Sequence, residues 1–178
     1  YGERSAAVWI DYKESGALRC RIAGRQTVTE TELACLEAEM RVLAAAAHPI
    51  EKRSVPTREA VRLFAARGMQ DKAELLRFRI YSSVNLYRLG EYEDYFYGYM
   101  LPDSSYLTDF SLRPYEDGFV LCLPAQRLPM QLAAFQPSQK IFRAMEESRE
   151  NLSRQKIETV GALNARAASG KMKELILC

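Results

Sequence analysis

The stretch Leu86-Tyr87-Arg88-Leu89-Gly90-Glu91-Tyr92-Glu93-Asp94-Tyr95-Phe96-Tyr97-Gly98-Tyr99-Met100-Leu101-Pro102 decides the fold class. Aromatic and branched residues are interleaved with polar ones, and glycines punctuate the run at 90 and 98. That pattern predicts short antiparallel strands with tight connections rather than helix. Outward from it, the segment from Phe78 to Phe119 holds 12 of the chain's 18 aromatic residues. It runs into Phe119-Val120-Leu121-Cys122-Leu123, an apolar strand opened by the Asp117-Gly118 turn and stopped by Pro124.

Helical patterns bracket this aromatic region. On the N-terminal side, residues 6–23 read as a hairpin turning at Ser15-Gly16. Thr29 and Glu32 form a capping box ahead of Leu33, Leu36, Met40 and Leu43, which predicts a helix from Glu30 to about Ala47. Pro49 forbids its continuation. Ile50 to Val55 reads as a short strand. Thr57 is expected to cap a helix over Arg58–Arg67 with Gly68 as its left-handed terminator, and Asp71 to cap a shorter helix through Leu75 and Leu76. Beyond Pro124, Pro129 and Pro137 the pattern turns helical again. Ile141, Phe142, Met145 and Leu152 predict a helix from about Ser138 to Lys156. Val160–Ala168 and Lys171–Leu177 follow as shorter helices split by Ser169-Gly170. This segregated order predicts an α+β fold, an antiparallel sheet packed with helices, over residues 1–125, and a helical C-terminal extension over 126–178.

Composition narrows the function classes. The 178 residues carry 25 Lys and Arg against 23 Asp and Glu, a net charge of +2, and 48% are hydrophobic. Such a chain buries a core of its own and is neither a disordered tail nor a polybasic nucleic-acid binder. No apolar run approaches the ~18 residues of a membrane span. The four cysteines, at 20, 35, 122 and 178, form no close pair, so a zinc ribbon or a disulfide scaffold is not expected. The single histidine, His48, leaves almost no material for a His-based dyad or metal centre. A reducing cytoplasm is the expected compartment. A chain that starts at Tyr1 and ends on Leu175-Ile176-Leu177-Cys178 reads as an excised piece of something longer.

Each chemical motif has a plainer rival. Gly170-Lys171 suggests a phosphate loop, but the first glycine of that motif would fall on Ala165 and its hydroxyl on Met172, so a helix C-terminal turn is expected instead. Glu91, Glu93 and Asp94 could form a glycosidase-type pair, yet three acids in a strand or turn are expected as a solvated edge. The Tyr95–Tyr99 run could stack nucleobases. Its sequence neighbours are acidic, which favours a core and cross-strand aromatic ladder. His48 is expected at a helix end, Cys122 as a buried small residue, and Arg4, Lys13, Lys52, Arg53 and Arg58 as dispersed surface cations.

From about Leu33 to Phe119 the chain resembles the second, editing-type domain of threonyl- and alanyl-tRNA synthetases. The resemblance rests on the 86–102 run, on Leu36-Glu37-Ala38-Glu39-Met40, Pro49-Ile50-Glu51, Thr57-Arg58-Glu59-Ala60, and on Gln70-Asp71-Lys72-Ala73-Glu74-Leu75-Leu76. Part of the same run, Asp94–Met100, together with Pro114-Tyr115-Glu116-Asp117-Gly118-Phe119 and the tail segments Glu158–Asn164 and Ser169–Ile176, is similar to bacterial uridine (nucleoside) kinase-like proteins. In those proteins a synthetase-like region precedes a P-loop kinase of the phosphoribulokinase/uridine kinase type. That resemblance implies a parent transferring a phosphoryl group from ATP, with Mg²⁺, in an adjacent kinase domain beyond Cys178.

The editing family's D-x-C-x-G-x-H arrangement maps here onto Asp94, Phe96, Gly98 and Met100, so the Cys and His positions hold Phe and Met. Its H-x-x-x-H helix would lie before Tyr1, and its assisting lysine corresponds to Lys72. The resemblance therefore implies a silent editing site with no catalytic residue and no metal, in which Lys72 and Asp94 ion-pair. Any pocket that remains lies beside that pair, floored by Phe96, Tyr97 and Met100, and suits a flat ligand such as a nucleotide or RNA base. Residual aminoacyl-tRNA deacylation through Lys72 and Asp94, and oligomerisation through the aromatics of 92–106, are the rival roles.

Overall fold

The computed structural model describes residues 7–25, 27–125, 128–132 and 134–170. In chain order the elements are β1 (Val8–Glu14), β2 (Ala17–Ile22), α1 (Glu30–Ala45), β3 (Ile50–Pro56), α2 (Thr57–Ala66), α3 (Gln70–Arg77), β4 (Ser83–Leu89), β5 (Tyr92–Tyr95), β6 (Ser111–Tyr115), β7 (Gly118–Cys122), β8 (Pro124–Ala125), β9 (Leu128–Leu132), α4 (Gln139–Arg154) and α5 (Val160–Ala168). A single 3-10 turn covers Ser104–Tyr106. The class is α+β, as the segregated pattern predicts. The chain forms two compact units, each from two separate segments. One takes the described residues up to Ile50 together with Leu101–Pro137. The other takes Glu51–Met100 together with the described residues from Ser138 onward.

The first unit is built on a four-stranded sheet of order β1-β2-β7-β6, antiparallel throughout. Ser15 and Gly16 both take left-handed backbone angles, φ 47° and 80°, which matches the twist of the β1–β2 hairpin. The expected capping box forms: Glu32 N donates to Thr29 Oγ1 at 3.2 Å and Thr29 N donates to Glu32 Oε2 at 2.9 Å. Hydrogen bonds from the Thr29 backbone N–H foremost, then from the Arg25 guanidinium and the Thr29 hydroxyl, hold the Glu32 carboxyl down at a pKa of about 2. Leu33 of α1 packs with Cys20, Val28, Leu112 and Phe119, and Leu36 and Met40 flank that core. Burial pushes the Cys20 thiol up to about 11, so it stays protonated as a packing residue. Cys122 is fully buried beside Ala17 and Val120, as expected. His48 follows the end of α1 with its ring exposed; its N–H donates to Ser104 Oγ and its carbonyl accepts from Ser104 N.

One expectation fails in this unit. The extension expected to be helical over 126–178 begins instead with a strand: β9 pairs with β8, and helix starts only after the Ser138 cap. Prolines at 124 and 129 lack the N–H a helix interior needs but are tolerated in a short, edge-like ladder. The charged core was also missed. Arg19 is only 2% exposed, pairs with Asp117, and lies 5.6 Å from the Tyr115 ring.

In the second unit the sheet order is β3-β4-β5, with β4 and β5 antiparallel in the register Leu86↔Tyr95 to Leu89↔Tyr92. Its core joins Val55, Ala60, Phe64, Ala73, Leu76, Val84 and Leu86. Gly68 terminates α2 at φ 75°, as expected. The two capping expectations are corrected. Pro56, not Thr57, stands at the N-cap of α2, and Thr57 Oγ1 instead donates to the Tyr81 carbonyl at 2.6 Å. Met69 precedes α3, and Asp71 sits inside its first turn. Ser138 and Thr159 cap α4 and α5 through their hydroxyls. Helix α5 lies against α3 at Gly161, where a Cβ would be 2.9 Å from both Glu74 Cβ and Leu75 N. The helix expected over Lys171–Leu177 lies outside the described residues. Among the described residues no helix is long and apolar enough to cross a membrane.

Candidate functional site

The β4–β5 hairpin carries most of the residues the sequence singles out. Gly90, at φ 59°, lets the chain reverse between the strands. On β5, Tyr92 and Asp94 are two residues apart, the spacing that places side chains on one face. Tyr92 Oη donates to Asp94 Oδ2 at 3.1 Å. Lys72, from α3, reaches the same oxygen, with Nζ to Oδ2 at 2.5 Å. Asp94 Oδ1 accepts from the Tyr95 N–H at 2.8 Å. The expected Lys72–Asp94 ion pair is thus formed, and Asp94 has both oxygens engaged.

The electrostatics follow from this geometry. Burial works to lower the Lys72 pKa, but the hydrogen bond and charge of Asp94 outweigh it and hold it above the ordinary lysine value. Burial and then the Asp94 charge raise the Tyr92 phenol. At neutral pH the cluster is therefore an ammonium, a carboxylate and a neutral phenol. Such a set can attract an anion or donate hydrogen bonds, but it offers no free base to accept a proton.

The three acids of this stretch do not form a solvated edge. Glu91 is exposed, but Glu93 is 3% exposed. Arg53 grips it through Nε and Nη2, at 2.5 and 3.1 Å, and Arg67 Nη2 adds a contact at 3.3 Å. Sequence reading missed this knot because its cations come from β3 and the end of α2, 40 and 26 residues away. The Arg53 hydrogen bond, ahead of the neighbouring charges, lowers the Glu93 pKa.

The stability contributed by Glu93 is therefore full above the unfolded carboxylate value, about 4.3, and fades as pH falls through its depressed native value. We expect Glu93→Gln to cost about 1–3 kcal/mol at pH 7 and to lose this part of the acid dependence. Urea unfolding of both proteins at pH 7 and below pH 4 measures it. An equal acid response in the two would show that Glu93 is not the group.

The aromatic run is not the buried ladder its alternation predicts. β5 stops at Tyr95, whose ring meets Phe64 edge-on at 6.0 Å. Beyond it Phe96 is 49%, Tyr97 70%, Tyr99 95% and Met100 43% exposed. Phe96 meets Tyr87 edge-on at 6.4 Å, and Tyr97 meets Tyr95 at 5.7 Å. Tyr87 Oη donates to the Gly98 carbonyl at 2.8 Å and ties the loop to β4. Among the described residues no group of three His, Cys, Asp or Glu side chains is placed to hold a metal ion.

With this geometry in place, the comparison with known proteins bears on the site. The chain is similar to threonine–tRNA ligases. That of Nitratidesulfovibrio vulgaris strain Miyazaki F is 37% identical over 81 residues, 46% of this chain and 13% of the relative. That of Methylococcus capsulatus strain Bath is 36% identical over 85 residues, 47% of this chain and 13% of the relative. In Legionella pneumophila strain Corby the match is 32% over 91 residues, 51% of this chain and 14% of the relative. The chain thus spans about an eighth of the length of the curated relatives it matches. No protein-family model matches it. The similarity to threonine–tRNA ligases covers about half the chain and agrees with the synthetase side of the resemblance.

Proposed function

We propose that this chain is a catalytically silent, editing-domain-like accessory module of a larger protein. The observation that carries the reading is the closed cluster around Asp94. Its carboxylate is taken up by Lys72, Tyr92 and the Tyr95 N–H, and Lys72 is held protonated. An ammonium cannot act as a base, and a carboxylate so engaged is a poor one. Phe96 and Met100 occupy the two positions where the resemblance puts Cys and His, and neither side chain transfers a proton.

The rival is residual deacylation through Lys72 and Asp94, and an assay separates the two. Incubated with a mischarged aminoacyl-tRNA, the chain should hydrolyse the ester at the rate of buffer alone, and Lys72→Ala should change nothing. A rate above background that Lys72→Ala abolishes would overturn the reading.

The parent in this proposal is an ATP-dependent nucleoside kinase of the uridine kinase type, whose adjacent P-loop domain holds ATP and Mg²⁺. Its support is the resemblance of Asp94–Met100, Pro114–Phe119, Glu158–Asn164 and Ser169–Ile176. A P-loop sequence within a few dozen codons downstream of Cys178 in the source reading frame would support that parent. A class II synthetase continuation there would remove it.

A further inference from the structure

We propose that Tyr81 and Tyr97, with Arg79 between their rings, and Tyr99, with Lys52 beside its ring, form a stacking platform for single-stranded nucleic acid. The inference rests on the binding-module reading but not on the silence of the Asp94 cluster. The three rings are 66%, 70% and 95% exposed. The Arg79 guanidinium lies 5.3 Å from the Tyr81 ring centre and 4.8 Å from that of Tyr97. The Lys52 ammonium lies 5.8 Å from the Tyr99 ring and 5.9 Å from that of Tyr87. Because Tyr97 and Tyr99 flank Gly98, the two groups adjoin along the chain. The strip is also pinned: Tyr97 rests edge-on against Tyr95, and the Gly98 carbonyl is bonded to Tyr87.

Charge decides the occupant. The acids beside these rings in sequence argue against a polyanion, but the fold ties them up. Glu93 goes to Arg53 and Arg67, Asp94 to Lys72, and Glu51 to Arg88. Among the described residues neither Lys52 nor Arg79 has a carboxylate partner. Glu91, at the β4–β5 turn, stays exposed, while the charged groups against the tyrosine rings themselves are Arg79 and Lys52. Bases present π-faces to such rings whatever their sequence, and phosphates complement the cations. A second copy docked on the same strip would bring like cations together, and a duplex keeps its base faces internal.

The test measures fluorescence anisotropy of a labelled oligouridylate of about 12 nucleotides, in about 50 mM and 200 mM salt, against the whole chain. Binding is expected. Tyr97→Ala with Tyr99→Ala should weaken it about tenfold or more, and Tyr97→Phe with Tyr99→Phe should restore it. These side chains are exposed, so circular dichroism should show both double variants folded. Independently, Arg79→Gln with Lys52→Gln should flatten the logarithmic salt dependence by about 1.4, from about 0.7 per phosphate contact on a single strand.

A duplex of equal length, or UMP alone, should compete poorly. No binding at the lower salt, equal binding by the alanine double variant, or equal competition by duplex or UMP would each overturn the platform. Deacylation above background would instead remove the silent-site reading and leave the platform standing.

Discussion

Phe64→Ala is expected to lower the unfolding free energy by about 3–5 kcal/mol, the range for truncating a fully buried phenylalanine. Phe64 has no exposed surface and joins Val55, Ala60, Ala73, Leu76, Val84 and Leu86 in one core. Its ring also supports Tyr95 edge-on, and the Lys72 ammonium lies 5.8 Å from its centre. The cavity would sit beneath the strand that bears Asp94, so the damage should reach the surface as well. Urea unfolding followed by circular dichroism measures the loss. A cost under about 1 kcal/mol would contradict so complete a burial, whereas Phe64→Leu, which keeps most of the volume, should fall well below the alanine variant.

The second large effect is expected at Gly161. Helix α5 approaches α3 so closely there that a Cβ would meet Glu74 Cβ and the Leu75 backbone nitrogen at 2.9 Å. Backbone cannot move aside like a flexible side chain, so Gly161→Leu should cost about 3 kcal/mol or detach α5. Gly161→Ala should cost less, because alanine regains about 1 kcal/mol of helix propensity. Trypsin cleavage after Lys156, between α4 and α5, reads the detachment directly. Cleavage of the leucine variant at the parent's rate would show that α5 does not depend on this contact.

These two sites differ in how far the sequence discloses them. Phe64 stands at helical spacing from Ala60 and Val61, and periodicity alone assigns it to the core. The capping box at Thr29 and the turn at Ser15-Gly16 are equally local, and both form as read. Thr57 and Asp71 have the right chemistry for caps, but Thr57 bonds the Tyr81 carbonyl, 24 residues on, and tertiary geometry overrides the local preference.

The same limit explains the site. The Lys72–Asp94 pair is expected from the resemblance, since nothing within four residues of either side chain announces it. Glu93 reads as solvated because its cations are distant in sequence. Lys52 reads as one of several dispersed cations and Arg79 is not singled out at all, although folding carries both to tyrosine rings. The run 95–99 is expected as a core and cross-strand ladder, but β5 ends at Tyr95; Phe96 N still bonds the Asn85 carbonyl of β4, and the chain then bends at Tyr97-Gly98.

The interleaved path of the chain bears on how it is made. The first unit needs Leu101–Pro137 to complete the sheet begun by β1 and β2, and the second needs the segment after Ser138 to cover α3. On the ribosome, β2 therefore waits about 100 residues for β7, and α3 waits about as long for α5, with apolar surface uncovered meanwhile. At roughly 5–20 residues per second that delay lasts about 5–20 seconds. A stop after Pro137 would leave both segments of the first unit but only part of the second. Chaperone demand during synthesis should accordingly follow the translation rate across codons 51–137 more closely than the stability of the finished protein.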